Sequence, residues 1–181
     1  MPDLAGMLLS AAPGLLDPNF RRCAVLVIDH DGDGALGVIL NRPADLTVGE
    51  VVPELSALAG EHARIHQGGP VQPDGLVVLA DFTDPGDGQQ TVLGSVALVS
   101  GADDIDSLVG TIERARVFAG YAGWAAGQLE GELERDDWIV EPARVEDVFS
   151  DAPEELWASV LERKGGSYRF MVSMPDDPTL N

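Results

Sequence analysis

Short apolar runs separated by glycine, proline and aspartate dominate the first half of the chain. Residues 23–29 and 35–40 are two such runs, and the sequence Asp-Gly-Asp-Gly joins them. Apolar runs of this length between turn residues predict β-strands, and the aspartate–glycine connection predicts a hairpin. The other segments with this pattern are residues 6–12, 63–66, 75–80 and 92–100.

Helix signals occur at four places. Asp17 and Pro18 predict one helical turn, because aspartate caps a helix and proline suits its first position. Thr47 and Glu50 have the pattern of a capping box, which predicts a helix to about residue 58 that Pro53 shortens or kinks. The remaining helices are expected over residues 102–112, with aspartates in the first turn, and over residues 151–164, with one apolar face before two glycines.

Three glycines stand four residues apart, at Gly123, Gly127 and Gly131, in a segment that follows a predicted strand at residues 116–121. At helical spacing they form one bare stripe of a helix. Each interior glycine costs about 1 kcal/mol relative to alanine, so close approach of another backbone or of a ligand is expected to compensate. Packing in a membrane does not explain the stripe, because the same segment carries Gln128 and three glutamates.

Strands and helices are mixed without a regular strand–helix–strand alternation. A strand at residues 138–140 follows the glycine-rich segment, a last strand is predicted at residues 168–173, and residues 83–90 form a polar loop. No internal repeat and no long linker divides the 181 residues, a length that suits one domain. The pattern therefore predicts an α/β fold in the α+β sense, a single domain over residues 1–181 with a mixed sheet and flanking helices.

Charge narrows the choice of partners. The chain has 31 acidic and 11 basic residues, a formal net charge of −20, and 45% hydrophobic residues, which suffice for a core. An acidic surface repels phosphate backbones and anionic membranes, so it disfavours nucleic-acid and membrane binding and fits a partner protein with a basic surface. No apolar stretch approaches about eighteen residues and the N-terminal segment lacks a basic region, so the cytoplasm is the expected location. The single cysteine, Cys23, is expected to be a buried hydrophobe.

Motifs for cofactors, metals and catalysis match only in part. Residues 32–37 satisfy the pattern G-x-G-x-x-G, but a β-like run follows where a dinucleotide site needs a helix. A calcium loop counted from Asp29 has Leu40 at the position of the bidentate glutamate. His62 and His66 have the spacing of a helical metal pair, yet no third ligand accompanies them and His66 fits a strand better. With no nucleophile motif in the sequence, we predict no cofactor, no metal site and no catalytic residue, and we favour a protein that is not an enzyme.

Four short segments carry specific signatures. They are residues 8–22, with Asp-Pro-Asn-Phe-Arg-Arg; residues 34–43, which end in Asn-Arg-Pro; residues 68–71, Gly-Gly-Pro-Val; and residues 120–130, with Gly-Tyr-Ala-Gly-Trp. In this order they resemble the YqgE/AlgH family of small bacterial proteins, catalogued as an uncharacterised protein family, and the similarity is looser beyond residue 149. The resemblance implies a strongly bent or branched sheet, partly barrel-like and surrounded by helices. Some members are labelled transcriptional regulators, but this sequence shows no DNA-reading helix pair, so any regulation is expected to be indirect.

Three of these segments can form a small pocket. The Asn-Arg pair ends a strand before a proline, and an arginine fork suits a carboxylate or a phosphate. The Gly-Gly pair forms a bend whose exposed amides can bind an anion. A tryptophan and a glutamine one helical turn apart would add an aromatic wall. The candidate ligand or partner surface consists of Asn41, Arg42, Gly68, Gly69, Trp124, Gln128 and Glu130.

Two interpretations of these residues stay open. In the structural one, the glycines let a helix lie against a sheet, Trp124 belongs to the core, and Arg42 pairs with Glu130 or another acid. In the functional one, they contact a ligand or a partner. The acidic surface and the missing catalytic motif favour a non-enzymatic cytoplasmic regulator that acts through protein contacts. The alternative is a small-molecule or anion-binding protein, or an unrecognised enzyme, that uses the candidate surface. The oligomeric state stays open.

Overall fold

The computed structural model describes residues 3–84, 86 and 89–175. The strands are Met7–Ala11 (β1), Ala24–Asp31 (β2), Gly34–Ile39 (β3), Pro43–Thr47 (β4), Arg64–Gln67 (β5), Val71–Phe82 (β6), Thr91–Leu93 (β7), Val96–Leu98 (β8), Ile112–Ala125 (β9) and Trp138–Pro142 (β10). The α-helices are Val48–Val51 (α1), Ser56–Ala59 (α2), Ile105–Leu108 (α3), Gln128–Glu134 (α4), Val145–Val148 (α5), Leu156–Lys164 (α6) and Tyr168–Met171 (α7). Two 3-10 turns, Pro53–Leu55 and Pro153–Glu155, precede α2 and α6. None of the helices within the described residues is long and apolar enough to cross a membrane.

The strands form one branched sheet. Along its main path the order is β10-β1-β2-β3-β9-β6-β8-β7. The long strand β9 is the branch point, because residues 122–125 pair with β3, residues 112–121 pair with β6, and residues 118–119 pair in parallel with β5. Strand β5 carries β4 on its other side. The sheet is therefore mixed, branched and curled into a half-barrel, which confirms the expected α+β fold class.

Both faces of the sheet are covered at its centre. Successive residues of a strand point to opposite faces. Leu8 and Leu26 accordingly belong to one buried cluster, whereas Leu9 and Val25 belong to a second. A strand with two covered faces needs apolar residues at every position, which explains the continuous apolar run at residues 23–28.

Several local features follow the sequence closely. The hairpin of β2 and β3 pairs Asp31 with Gly34. The Thr47 amide donates a hydrogen bond to Glu50 Oε2 at 2.9 Å, as a capping box requires, and α1 ends just before Pro53. Cys23 is completely buried, and burial raises the pKa of its thiol well above the usual range. The predicted hairpin, capping box and buried cysteine are therefore confirmed.

The predicted glycine-striped helix is wrong. Strand β9 continues through Gly123 to Ala125, and Gly127 forms the tight turn after it with a φ of 73°. Helix α4 begins at Gln128, so Gly131 is the single member of the stripe inside a helix. The pairing of residues 122–125 with β3 overrides the helical spacing of the glycines, because an extended segment that completes a sheet satisfies its backbone hydrogen bonds there.

Three other element predictions need correction. The helix expected over residues 102–112 is reduced to α3, since the chain reverses at Gly110, with a φ of 90°, and then enters β9. The strand expected over residues 92–100 is divided at Gly94 into β7 and β8. The last predicted strand is instead helix α7, whose Tyr168 and Met171 pack on the cluster around α6. Of the predicted polar loop, residues 85, 87 and 88 lie outside the described residues.

Candidate functional site

Arg42 and Gly69 lie together in the wall of a cavity of about 580 Å³. We call this cavity the apolar groove. Apart from Arg42, its polar lining side chains are Asn19, Gln67 and Asp74. The other lining side chains and backbone positions are Ile39, Ala44, Leu46, Val51, Ile65, Gly69, Pro70, Pro73, Leu76 and Ala119. The groove therefore combines a long apolar wall with a few polar groups, the composition typical of a binding cleft.

The apolar wall of this groove is unusually open to solvent. Leu46 is 54% exposed, Val51 47% and Leu76 41%. They are three of the seven large hydrophobic side chains that are exposed among the described residues. Scattered exposed hydrophobic residues need no explanation, but a cluster of them on one concave surface is typical of an interaction site.

The side chains of Arg42 and Asn41 form hydrogen bonds with the backbone of residues 19–24. The Arg42 guanidinium donates to the carbonyl oxygens of Asn19 and Arg21, which ties the turn after β1 to the groove. The Asn41 side chain accepts from the Ala24 amide and donates to the Arg22 carbonyl, both at 2.8 Å. Asn41 thus replaces part of the strand ladder, whereas Arg42 keeps further N–H donors at the groove surface.

Gly68 and Gly69 are approached closely by the protein's own backbone. A Cβ atom at Gly68 would overlap the Gly120 carbonyl oxygen and lie 3.0 Å from the Phe118 Cβ. A Cβ atom at Gly69 would overlap the backbone of Tyr121. The two glycines therefore let strand β9 cross directly over this bend. Their amides do not form an open anion nest, since the Gly68 amide already donates to the Ala119 carbonyl at 2.8 Å.

Trp124 and Gln128 belong to a separate aromatic cluster. Trp124 is 6% exposed and packs with Phe20 and Trp138, whose ring centroids lie 6.3 and 6.0 Å from its own. Glu132 Oε2 accepts from the indole Nε1 of both tryptophans at 2.8 Å, and the Gln128 amide donates to Glu132 Oε1 at 3.0 Å. Neither Trp124 nor Gln128 lines the apolar groove. The structure therefore does not bring the three segments into one pocket. Trp124 packs in the aromatic cluster and lines a second cavity.

Glu130 does not pair with Arg42. It accepts a hydrogen bond from His30 Nε2 at 3.0 Å. The Leu4 amide donates to His30 Nδ1 at 3.2 Å, which leaves the imidazole proton on Nε2. Hydrogen bonds from its own backbone amide and from His30 lower the pKa of Glu130. This contact fixes the hairpin tip of β2 and β3 against α4.

The aspartates of the hairpin tip line a second cavity, of about 400 Å³, but they do not form a metal site. Asp29, Asp31 and Asp33 all contribute to its wall. Across the part of the chain that the structure describes, no group of three or more histidine, cysteine or acidic side chains is placed to hold a metal ion. Asp29 and Asp31 lie at the end of β2, and Asp33 lies in the turn that follows it.

A third cavity, of about 370 Å³, brings together residues that no sequence motif connects. Its wall includes Arg64 and His66 from β5 and Arg114 and Arg116 from β9. We call it the basic cavity. The sequence signal for this cavity is the spacing of two residues between Arg64 and His66 and between Arg114 and Arg116. On a strand this spacing places both members of each pair on one face. His66 is indeed on a strand, 3% exposed, as its sequence context suggested, and His62 is exposed before it.

Comparison with known proteins decides the family. A family model described as DUF179, AlgH-like, matches residues 8–169. This chain belongs to the AlgH-like family. The match continues past residue 149, where a looser similarity was expected, and the resemblance to the YqgE/AlgH family is confirmed.

Relatives of this AlgH-like protein are known in several bacteria. The UPF0301 protein of Streptomyces coelicolor is 42% identical over 185 residues, which cover 99% of this chain and 96% of the relative. The UPF0301 protein of Thermobifida fusca is 45% identical over 194 residues, which cover 99% of this chain and 96% of the relative. These names specify no reaction, ligand or partner.

Two solved structures share the fold. A crystal structure of a Corynebacterium diphtheriae protein superposes with a TM-score of 0.86 at 28% identity, over 96% of this chain and 93% of that chain. The solution structure of the AlgH protein from Pseudomonas aeruginosa gives a TM-score of 0.73 at 32% identity, over 96% of this chain and 95% of that chain. The fold of this chain is therefore shared with both solved structures.

Proposed function

We propose that this AlgH-like protein is a non-enzymatic cytoplasmic regulator that acts by binding a segment of a partner protein in the apolar groove. The observation that carries the proposal is the clustering of Leu46, Val51 and Leu76, three exposed hydrophobic side chains, on one concave surface. Removing such side chains from water is the main source of affinity in protein contacts.

The occupant that fits is an extended apolar segment flanked by lysine or arginine. The net charge of −20 attracts a basic partner and speeds its approach. Within the groove, Asp74 can pair with one basic side chain of the segment. Arg42 uses two donors on the carbonyls of the neighbouring turn, and its remaining donors can bind carbonyl groups of an extended backbone.

Regulation through such a contact is indirect. A chain with 31 acidic and 11 basic residues repels DNA and RNA, so the protein would act on a partner rather than on a promoter. Proteins that bind nucleic acids themselves carry basic surfaces and match the required partner chemistry.

The test is selection of short peptides displayed on phage against the purified protein, followed by fluorescence anisotropy with the selected sequences. We expect peptides with apolar residues next to lysine or arginine. Leu46→Asp and Leu76→Asp should each raise their dissociation constant by about tenfold or more, because a buried charge without a partner opposes binding.

The matched control is Val109→Asp. Val109 is 52% exposed and does not line the groove, so this variant should bind the same peptides with unchanged affinity. Selection of no apolar, basic peptide, or equal binding to both groove variants and the wild type, would rule out the groove as the contact site.

A further inference from the structure

Cations are concentrated in the basic cavity although the chain is strongly acidic. The chain has ten arginines and a net charge of −20, yet three of the ten, Arg64, Arg114 and Arg116, line this one cavity. Two carboxylates, Asp151 and Glu154, also line it. Glu154 is already paired with Arg64 at 2.8 Å, and both of those side chains are substantially exposed. Arg114 is likewise paired with Asp81 at 3.0 Å. Arg116 is therefore the one arginine of this cavity that forms no ion pair with a described residue.

Arg116 is held by backbone carbonyl groups and not by any carboxylate that the structure describes. Its guanidinium donates to the carbonyl oxygens of Val148 and Ser150 at 2.8 and 3.0 Å, which aim it at the end of α5. Among the described residues, no carboxylate oxygen lies within 4.0 Å of it. Burial lowers the pKa of Arg116, the charge of Asp151 partly opposes this effect, and the charge of Arg114 adds to it. An anion beside Arg116 would supply the direct ionic contact that the described carboxylates do not make.

Arg114 is positioned for the same task. Its Nε donates to Asp81 Oδ2 at 3.0 Å, and its guanidinium lies 4.6 Å above the centre of the Phe149 ring. These contacts hold the guanidinium plane in place while leaving its two Nη groups available, the arrangement that suits oxygen atoms of a tetrahedral anion.

His66 lines the same cavity and carries a buried hydrogen-bond acceptor. Its Nδ1 lies 3.3 Å from the Arg64 carbonyl oxygen, and a carbonyl oxygen can only accept, so Nδ1 carries the proton. Nε2 is then an unprotonated acceptor, and it has no partner among the described residues. Burial and the charge of Arg116 lower the pKa of His66 to about 4, which keeps the imidazole neutral.

We propose that the basic cavity is a binding site for inorganic phosphate in its hydrogen phosphate form. Arg116 and Arg114 would hold the anion, and its hydroxyl group would donate a hydrogen bond to His66 Nε2. An anion without a hydroxyl group would leave Nε2 buried and unpartnered, which binding sites discriminate against strongly. The site should therefore separate hydrogen phosphate from sulfate, an anion of the same shape and charge at pH 8 that lacks the proton.

The test is isothermal titration calorimetry of the purified protein with sodium phosphate and with sodium sulfate at pH 8 and matched ionic strength. We expect phosphate to bind at least about tenfold more tightly than sulfate. His66→Phe keeps an aromatic ring against Phe118 but removes the acceptor, so it should abolish the preference for phosphate. Arg116→Gln should weaken the binding of both anions.

Arg114→Gln is a second arginine variant. Because the Arg114 side chain is 43% exposed, its replacement should disturb the fold less than Arg116→Gln does. It should also weaken both anions, and circular dichroism establishes that each variant is folded. Arg135→Gln, at an exposed side chain outside the cavity, should bind phosphate like the wild type. Equal affinity for phosphate and sulfate, no heat of binding with phosphate, or a preference for phosphate that persists in His66→Phe would overturn the proposal.

Discussion

Glu132 is the residue on which the aromatic cluster depends. One of its carboxylate oxygens accepts from two buried indoles, those of Trp124 and Trp138, and the other accepts from the Gln128 amide. Tryptophan can only donate through its Nε1, so each indole needs an acceptor inside the cluster. The charge of Glu132 thus serves the fold, and the contacts of Trp124 leave it no free polar group for a ligand.

Replacing Glu132 with alanine is expected to lower the free energy of unfolding by about 2–4 kcal/mol, because two buried indole N–H groups lose their acceptor. Urea denaturation followed by tryptophan fluorescence measures the change. Glu134→Ala, at an exposed position of the same helix, is the control and should change the value by less than about 0.5 kcal/mol. Equal stabilities of the two variants would show that water replaces the carboxylate without cost.

At the scale of elements, β9 organises the molecule. It borders β3, β5 and β6, and it changes direction at Gly120, which has a φ of 70°. The bend at Gly68 and Gly69 lies directly under this point. The branch in the sheet therefore depends on glycines from two distant segments that meet without side chains between them.

Gly68→Ala is expected to destabilise the protein by about 3 kcal/mol or more. The added methyl group would overlap the Gly120 carbonyl oxygen, and two packed backbones cannot move apart at low cost. Thermal and urea unfolding measure the effect. Gly32→Ala is the matched control, since a Cβ atom there meets no atom within 4 Å. A Gly68→Ala variant as stable as the Gly32→Ala variant would mean that the crossing is not tightly packed.

The sequence correctly predicted those elements that depend on a few adjacent residues. The hairpin after Asp31 and the capping box at Thr47 each depend on a few adjacent residues, and both are present. The segment around Gly123 was assigned to a helix because its glycine spacing was the strongest local pattern. Its actual state depends on pairing with β3, about ninety residues earlier, and such tertiary pairing overrides local preference.

The sequence predicted only part of the candidate site, because its residues come from segments that tertiary pairing brings together. Arg42 and Gly69 do meet in the apolar groove, since both lie at the ends of neighbouring strands. Trp124 is instead held in the aromatic cluster by its hydrogen bond to Glu132. The predicted helix through Gly123 and Gly127 did not include this contact. His66 and Arg116 are fifty residues apart, and only the parallel pairing of β5 with β9 brings their strands together.

At the scale of the whole molecule, two electrostatic effects of opposite sign set the dependence of stability on pH. The sequence has an isoelectric point of about 4.1, so acid relieves the mutual repulsion of its carboxylates. Protonation of His66 acts in the other direction. Few carboxylates titrate between pH 7 and 5, because the usual pKa values of aspartate and glutamate lie near 4. In that range we therefore expect the histidine to dominate.

The pKa of His66 falls from about 6.5 in the unfolded chain to about 4 in the folded one. Between these values the unfolded chain binds a proton that the folded one does not, so this stabilisation is complete above about pH 6.5 and is lost as the pH falls. Burial of the imidazole is the main cause of this lowered pKa. The charges of Arg116 and Arg64 add to it, and Glu154 only partly offsets them.

From pH 7 to pH 5 the wild type should therefore lose about 2 kcal/mol more stability in urea denaturation than His66→Phe does. His62→Gln, which changes an exposed histidine four residues earlier, should follow the wild-type pH profile. If His66→Phe lost stability as steeply as the wild type, the buried histidine would not be the acid-sensitive group. If the wild type gained stability towards pH 5, repulsion among the 31 acidic residues would outweigh the neutral histidine that the basic cavity maintains.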